Sequence, residues 1–157
     1  MTSGRLIWVG KENRRDPEVA LCSRYMERIR PYMKMDQQII KPYQTGPAEV
    51  VRNREGEKVL GLLQDRDFLV VCDERGEQKS SKQLSSFIAA QRHKGVPRML
   101  WLIGGSMGVG DAVRGRADCL LSLTKMTLPH ALARALLLEQ IYRALTIDAG
   151  HPYHHEG

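Results

Sequence analysis

The last seven residues, HPYHHEG (151–157), crowd three histidines and a tyrosine into the end of the chain. Histidine is the side chain whose unperturbed pKa lies nearest neutral pH, so this segment can take up or pass on a proton, and the tyrosine ring can stack on a flat substrate. Three histidines in five residues also suit zinc. No cysteine or carboxylate stands at metal-ligand spacing elsewhere, so no metal is expected. A proton-handling, ring-stacking segment over a site and a disordered end both remain open. Upstream, Glu139 and Arg143 stand at i,i+4 in the favourable order for an ion pair on a helix. Arg143 is either half of that surface pair or a contact for phosphate or substrate.

Two further stretches offer backbone groups. IGGSMGVG (103–110) closes an apolar run and precedes a helix start, a context in which backbone N–H groups meet a ligand. It lacks the GK[ST] ending of a nucleotide-phosphate loop. Its glycine spacing, and its place after the fourth strand, are not those of a dinucleotide fingerprint. The plainer reading is a tight β–α turn. LSLTKMTLPH (121–130) runs from a buried strand through a polar loop to a helix opened by Pro129. Loops at the carboxyl ends of strands are where α/β sheets bind ligands. Here hydroxyls and backbone groups can hold a flat polar ring, with Met126 and Leu128 flanking it. Thr127 is alternatively a helix cap, and both readings are compatible.

These groups need a frame. Residues 5–10, 35–43, 67–73, 98–103 and 118–123 read as strands, with Pro42 marking the second as an edge or a strand end. Helices are expected over about 17–30, opened by Asp16-Pro17, over 50–64, 81–94 and 111–116, and from 129 to about 148. The stretch 74–81 is expected to be a polar loop. Strands that alternate with helices and are apolar almost throughout predict one α/β domain over 1–157, a mostly parallel sheet covered by helices on both faces. The last helix, ALARALLLEQIYRALTI, is apolar over more than one stripe, so it is expected to serve both the core and a dimer interface.

Composition narrows the class. A chain of 157 residues, 42% hydrophobic and 27% charged, can bury one sizeable core and is globular rather than disordered. No apolar run is long enough to span a membrane, and the N-terminus has no signal-peptide pattern, so a cytoplasmic protein is expected. Lys and Arg outnumber Asp and Glu by 24 to 18, a surplus rich in arginine that points to a polyanion such as RNA, DNA or the ribosome. Cys22, Cys72 and Cys119 form no zinc or disulfide pattern and read as small apolar residues in a reducing compartment.

Taken in order, IGGSMG, LSLTKMTLPH with LARALLLEQIYRA, and the terminal PYH resemble the ribosomal large subunit methyltransferase H family, as do the early VGK and the central REGEKVL. The resemblance covers essentially the whole chain. It implies a small SPOUT (α/β-knot) enzyme that transfers a methyl group from S-adenosylmethionine to N3 of a pseudouridine in a 23S rRNA stem-loop, on the assembled ribosome. It also implies a homodimer and a deep trefoil knot at the C-terminal end, an exception to the rule that chains do not thread their own loops. The cofactor residues it implies are Cys72, where the family usually has leucine, Gly104, Leu123, Thr124, Lys125, Met126, Thr127 and Leu128. Near the target base it places Arg143, Tyr153 and His154, with His154 as base or proton relay. Arg14, Arg15, Arg24 and Arg28 are expected phosphate contacts. The alternatives are a SPOUT methyltransferase with another RNA target and a ribosome-binding module without chemistry.

Overall fold

The computed structural model describes residues 1–155. In chain order the elements are β1 (Ser3–Val9), α1 (Pro17–Ile29), β2 (Met35–Ile40), α2 (Ala48–Gly61), β3 (Phe68–Gln78), α3 (Ser81–His93), β4 (Arg98–Ile103), α4 (Asp111–Arg116), β5 (Cys119–Ser122) and α5 (His130–Asp148). The five strands form one sheet in the order β2-β1-β4-β3-β5, and every neighbouring pair is parallel. Successive side chains on a strand point to opposite faces, so strands covered on both sides must be apolar throughout. Leu6, Trp8, Val70 and Trp101 accordingly pack against α1, α3 and α5. Ile7, Val9, Leu69, Val71, Leu100 and Leu102 face α2 and α4. β2, cut off at Ile40 ahead of Pro42, is an edge strand. No helix among the described residues is long and apolar enough to cross a membrane.

Several expectations need correction. The stretch after Cys72 is not a loop up to Ser81, because β3 continues to Gln78. Cys72 and Glu77 both pair with Leu121, so residues 73–76 bulge out of the ladder. Thr127 does not cap α5, since the cap position is Pro129 and no side chain bonds there. Asp16 does occupy the cap position of α1, but without a side-chain hydrogen bond. The last helix serves the core, as expected. Lying between α1 and α3, it buries Leu137, Leu138, Ile141 and Leu145 within one chain and leaves Leu132 and Leu136 as its exposed large apolar residues, at 46% and 37%.

At the N-terminal edge of the sheet, Arg98 grips Asp67 with two donors, at 2.9 and 2.5 Å, and the side chains are only 18% and 2% exposed. Burial alone would raise the Asp67 pKa. The hydrogen bonds from Arg98 and the Gln64 N–H, with the charges of Arg98 and Arg116, outweigh it and hold the carboxyl below its ordinary value. A carboxyl depressed in the folded state contributes stability that is complete above the unfolded pKa, about 3.9, and is lost as pH falls through the folded value. Asp67→Asn is therefore expected to cost about 3 kcal/mol near neutrality, since it strands Arg98. It should also flatten the acid limb of stability measured by urea unfolding between about pH 5 and pH 2.

Candidate functional site

The carboxyl ends of β3, β4 and β5 enclose a cavity of about 590 Å³, within the range that small-molecule sites occupy. Each wall follows from local sequence. β4 ends at Ile103 and the chain turns at once, with the Gly108 N–H donating to the Gly105 carbonyl at 2.9 Å and Gly108 at φ +81°. A Cβ on Gly104 would stand 2.7 Å from Val109 Cγ2, and one on Gly105 would stand 2.7 Å from the buried Glu55 carboxylate. The turn is glycine because neither position has room for a side chain. The second wall is the β3 bulge. Gly76 lets it cross β5, since a Cβ there would meet Leu120 backbone atoms at 2.6 Å. The bulge brings Asp73 to the rim, where its carboxylate accepts from the Arg75 N–H at 2.9 Å and from Arg114 Nε at 2.8 Å.

The third wall is the loop from β5 to α5. Ser122 Oγ donates to the Thr124 carbonyl at 3.1 Å, and the Met126 N–H donates to Thr124 Oγ1 at 3.2 Å, which folds the loop on itself. Cys72, Gly104, Leu123, Thr124, Met126, Thr127 and Leu128 all line the cavity. Lys125 lies in the same loop, exposed, and is not part of the lining. The Cys72 thiol is packed among protein atoms. Burial, and then neighbouring Cys119, push its pKa up to about 12, so it stays protonated and serves as a wall rather than a nucleophile.

The chain end forms a second cluster. Gly150 at φ +72° and the His151 N–H donating to the Thr146 carbonyl at 2.9 Å turn the tail back along α5. Arg143, Tyr153 and His154 come together there. Arg143 donates to Glu139 through Nε at 2.9 Å and Nη2 at 2.6 Å, lies 4.7 Å from the Tyr153 ring centre, and places Nη1 3.1 Å from His154 Nδ1. The guanidinium can only donate, so Nδ1 accepts and the neutral imidazole carries its proton on Nε2. Tyr153 donates to Glu139 at 3.1 Å and packs edge-on against Tyr142. Burial, with Tyr25 and the Glu139 charge, pushes its phenol up to about 12, so it acts as a donor at neutral pH.

Sequence reasoning paired Glu139 with Arg143 but missed that Glu139 also anchors Tyr153, and that Gln140 donates to it at 2.6 Å. Only the reversal of the tail makes this apparent. His130 and Ala133, which line the cavity from the first turn of α5, were missed as well. Their signal was the helical spacing onward from Pro129. Among the described residues no group of three or more His, Cys, Asp or Glu is placed to hold a metal ion, and Glu156 and Gly157 of the tail lie outside those residues.

A family model described as predicted SPOUT methyltransferase matches residues 3–154. Among curated relatives, the ribosomal RNA large subunit methyltransferase H of Geotalea uraniireducens is 42% identical over 151 residues, which is 96% of this chain and 98% of that one. The protein of the same name from Trichlorobacter lovleyi is 41% identical over 152 residues, and that from Christiangramia forsetii 37% over 154, each with 96% of this chain and 98% of the relative covered. A solved structure, the SpoU methyltransferase AviRb from Streptomyces viridochromogenes in complex with AdoMet, superposes with a TM-score of 0.45 at 16% identity, covering 94% of this chain and 60% of that one. A likeness of that size carries no argument.

Proposed function

The chain belongs to the ribosomal RNA large subunit methyltransferase H family of SPOUT methyltransferases, and from that premise we propose that it transfers a methyl group from S-adenosylmethionine to N3 of a pseudouridine in a 23S rRNA stem-loop. The observation that carries this reading is the cavity at the strand ends. Its glycine turn at 104–108 lines one side, its 123–128 loop offers backbone and hydroxyl partners, and Leu123, Leu128 and Ile103 give apolar walls for a flat ring. These features fit an adenosine with a polar tail. The bound cofactor supplies a methyl made electrophilic by its sulfonium.

The protein's share is to place the acceptor nitrogen in line and to help it lose its proton. N3 of an imide is a poor nucleophile until that proton leaves. Arg143, Tyr153 and His154 are the groups proposed to hold the ring. In the arrangement described, Arg143 and the His154 Nε2–H are donors, suited to carbonyl oxygens on which charge grows as N3 deprotonates. His154 serves as base or relay when the incoming nucleotide takes Arg143 away from Nδ1.

Arg143 lies thirteen residues along α5 from His130 at the cavity wall, about 20 Å of helix. The tail is thus remote from the cavity of its own chain, which supports a homodimer in which one protomer's tail completes the other's cavity. The exposed Leu132 and Leu136 on α5 support the same pairing. The reading includes the trefoil knot, action in the cytoplasm on the assembled ribosome, and phosphate contacts from Arg14, Arg15, Arg24 and Arg28, all of which are exposed. Knot formation is compatible with a strand order that carries the chain from β4 past β3 to β5 before α5 returns between α1 and α3.

Titration calorimetry with S-adenosylmethionine and mass spectrometry of 23S rRNA from a deletion strain test this. Binding of the cofactor and loss of one methyl from a pseudouridine are expected. Loss of a methyl from another nucleotide reassigns the target, and no cofactor binding would leave a ribosome-binding module without chemistry.

A further inference from the structure

Among the described residues six buried side-chain polar atoms lack a hydrogen-bond partner. Two are Glu55 Oε1 and Trp101 Nε1. The other four, Trp8 Nε1, His130 Nδ1, and Nε and Nη1 of Arg134, belong to side chains linked by the stacking of Arg134 on Trp8 and by the i,i+4 spacing of His130 and Arg134 on α5. Arg134 is 2% exposed, and its guanidinium carbon lies 3.6 Å from the centre of the Trp8 ring. Stacking on an indole compensates a buried cation only in part. The carboxylate paired with it, on Glu12, has Oε1 3.8 Å from Nη1, too far for a hydrogen bond. Glu12 belongs to the connection between β1 and α1, which leaves β1 past the Trp8 ring. A Cβ on Gly10 in that connection would stand 2.5 Å from the indole. Native proteins pair their buried charges, and one left underpaired calls for an explanation.

The position of the group supplies one. His130 and Ala133 line the cavity, and Arg134 is the next residue on α5, one turn beyond His130. Guanidinium and indole N–H groups donate only, and His130 Nδ1 donates in one tautomer. Their complement is an acceptor, best a charged one. We propose that Arg134, with Trp8 and His130, forms an anion subsite beside the cavity, and that Glu12 covers it until an anionic oxygen group from a reactant takes the carboxylate's place. Resting on the methyl-transfer reading above, the group comes from the methionine carboxylate of S-adenosylmethionine or from a phosphodiester of the RNA. Arg134 then orients a reactant and takes no part in proton transfer.

The test uses the full-length protein and its Arg134→Met and Glu12→Gln variants. Dissociation constants are measured for S-adenosylmethionine, for decarboxylated S-adenosylmethionine, and for ribosomes lacking the modification, together with melting temperatures. Arg134→Met is expected to melt no lower than wild type, because an apolar side chain replaces an underpaired buried charge. It is also expected to weaken one reactant about tenfold or more. A carboxylate source shows as a loss for S-adenosylmethionine that its decarboxylated analogue does not suffer. A phosphate source shows as weaker ribosome binding with a flatter salt dependence. Unchanged constants for both reactants overturn the inference, whatever the melting temperature does. Should Arg134→Met fail to fold, Glu12→Gln reads the same point. Removing the covering carboxylate tightens one reactant, and no change in either overturns the proposal. Wild-type protein that binds neither reactant takes the methyl-transfer reading down as well, whereas a missing contrast between variants takes down this inference alone.

Discussion

Arg143→Ala is expected to slow methyl transfer about a hundredfold or more while the protein stays folded. The expectation comes from how many groups this side chain holds. Its Nε and Nη2 fix Glu139, its Nη1 meets His154, and its plane covers the Tyr153 ring. Without it, His154 loses its bond to α5, and Tyr153 keeps only Glu139 and its ring neighbours. Both the donor proposed to meet the substrate and the alignment of the tail go together. Stability should change much less, by about 1 kcal/mol, because the Arg143–Glu139 pair is partly exposed and α5 is held by Leu137, Leu138, Ile141 and Leu145. Arg143→Lys should restore only part of the rate, since one ammonium cannot reproduce the fork that serves Glu139 and His154 at once. Single-turnover methylation of ribosomes lacking the mark, with saturating cofactor and a parallel thermal melt, separates the outcomes. A wild-type rate in Arg143→Ala would reduce the residue to a surface ion pair.

How much of this was legible depended on whether the deciding contacts were local. β4 and α4 were read with their observed bounds, because a run between Pro97 and Gly104 that is apolar apart from Arg98, and a short helix after Gly110, are specified by neighbours in sequence. The second half of β3 was not legible. Its residues are mostly charged, and they are strand only because Glu77 and Gln78 pair with Leu121 and Ser122, more than forty residues away. Thr127 looked like a cap because the type suits the position, but the loop spends its hydroxyl bonding on Ser122 and Thr124 instead. The core role of α5 was legible in its apolar excess, but not the identity of its packing partners, because composition does not name α1 and α3 as the helices that flank it. Two of the three cavity walls, the glycine turn after β4 and the loop after β5, were legible, since strand ends and glycine turns carry their own signature, whereas the β3 bulge was not. The Glu139 hub and the buried Arg134 were not, because each depends on a chain reversal or a distant loop, through Gly150 and Glu12 respectively.

The separation of cavity and tail along α5 leads to the second large effect, complementation between two inactive chains. Thr127→Trp, at an exposed position of the cavity lining, is expected to fill the cofactor site without touching the core. Arg143→Ala disables the tail and leaves the cavity whole. Each variant alone should be inactive, because every site then contains the same defect. In a mixture unfolded and refolded at equal amounts, half the dimers pair one chain of each kind. If a tail serves the cavity of the other protomer, each mixed dimer holds one site built from an intact cavity and an intact tail, and one site with both defects. The mixture should then recover about a quarter of wild-type activity by statistical pairing of an isologous dimer. If each tail served its own cavity, every site in the mixed dimer would carry one defect and no activity would return. The difference between a quarter and nothing needs no knowledge of the catalytic base, and it tests the roughly 20 Å between His130 and Arg143 as a statement about function. Recovery near zero, with mixed dimers confirmed by mass, would place the tail over its own cavity and require α5 or the tail to move on substrate binding.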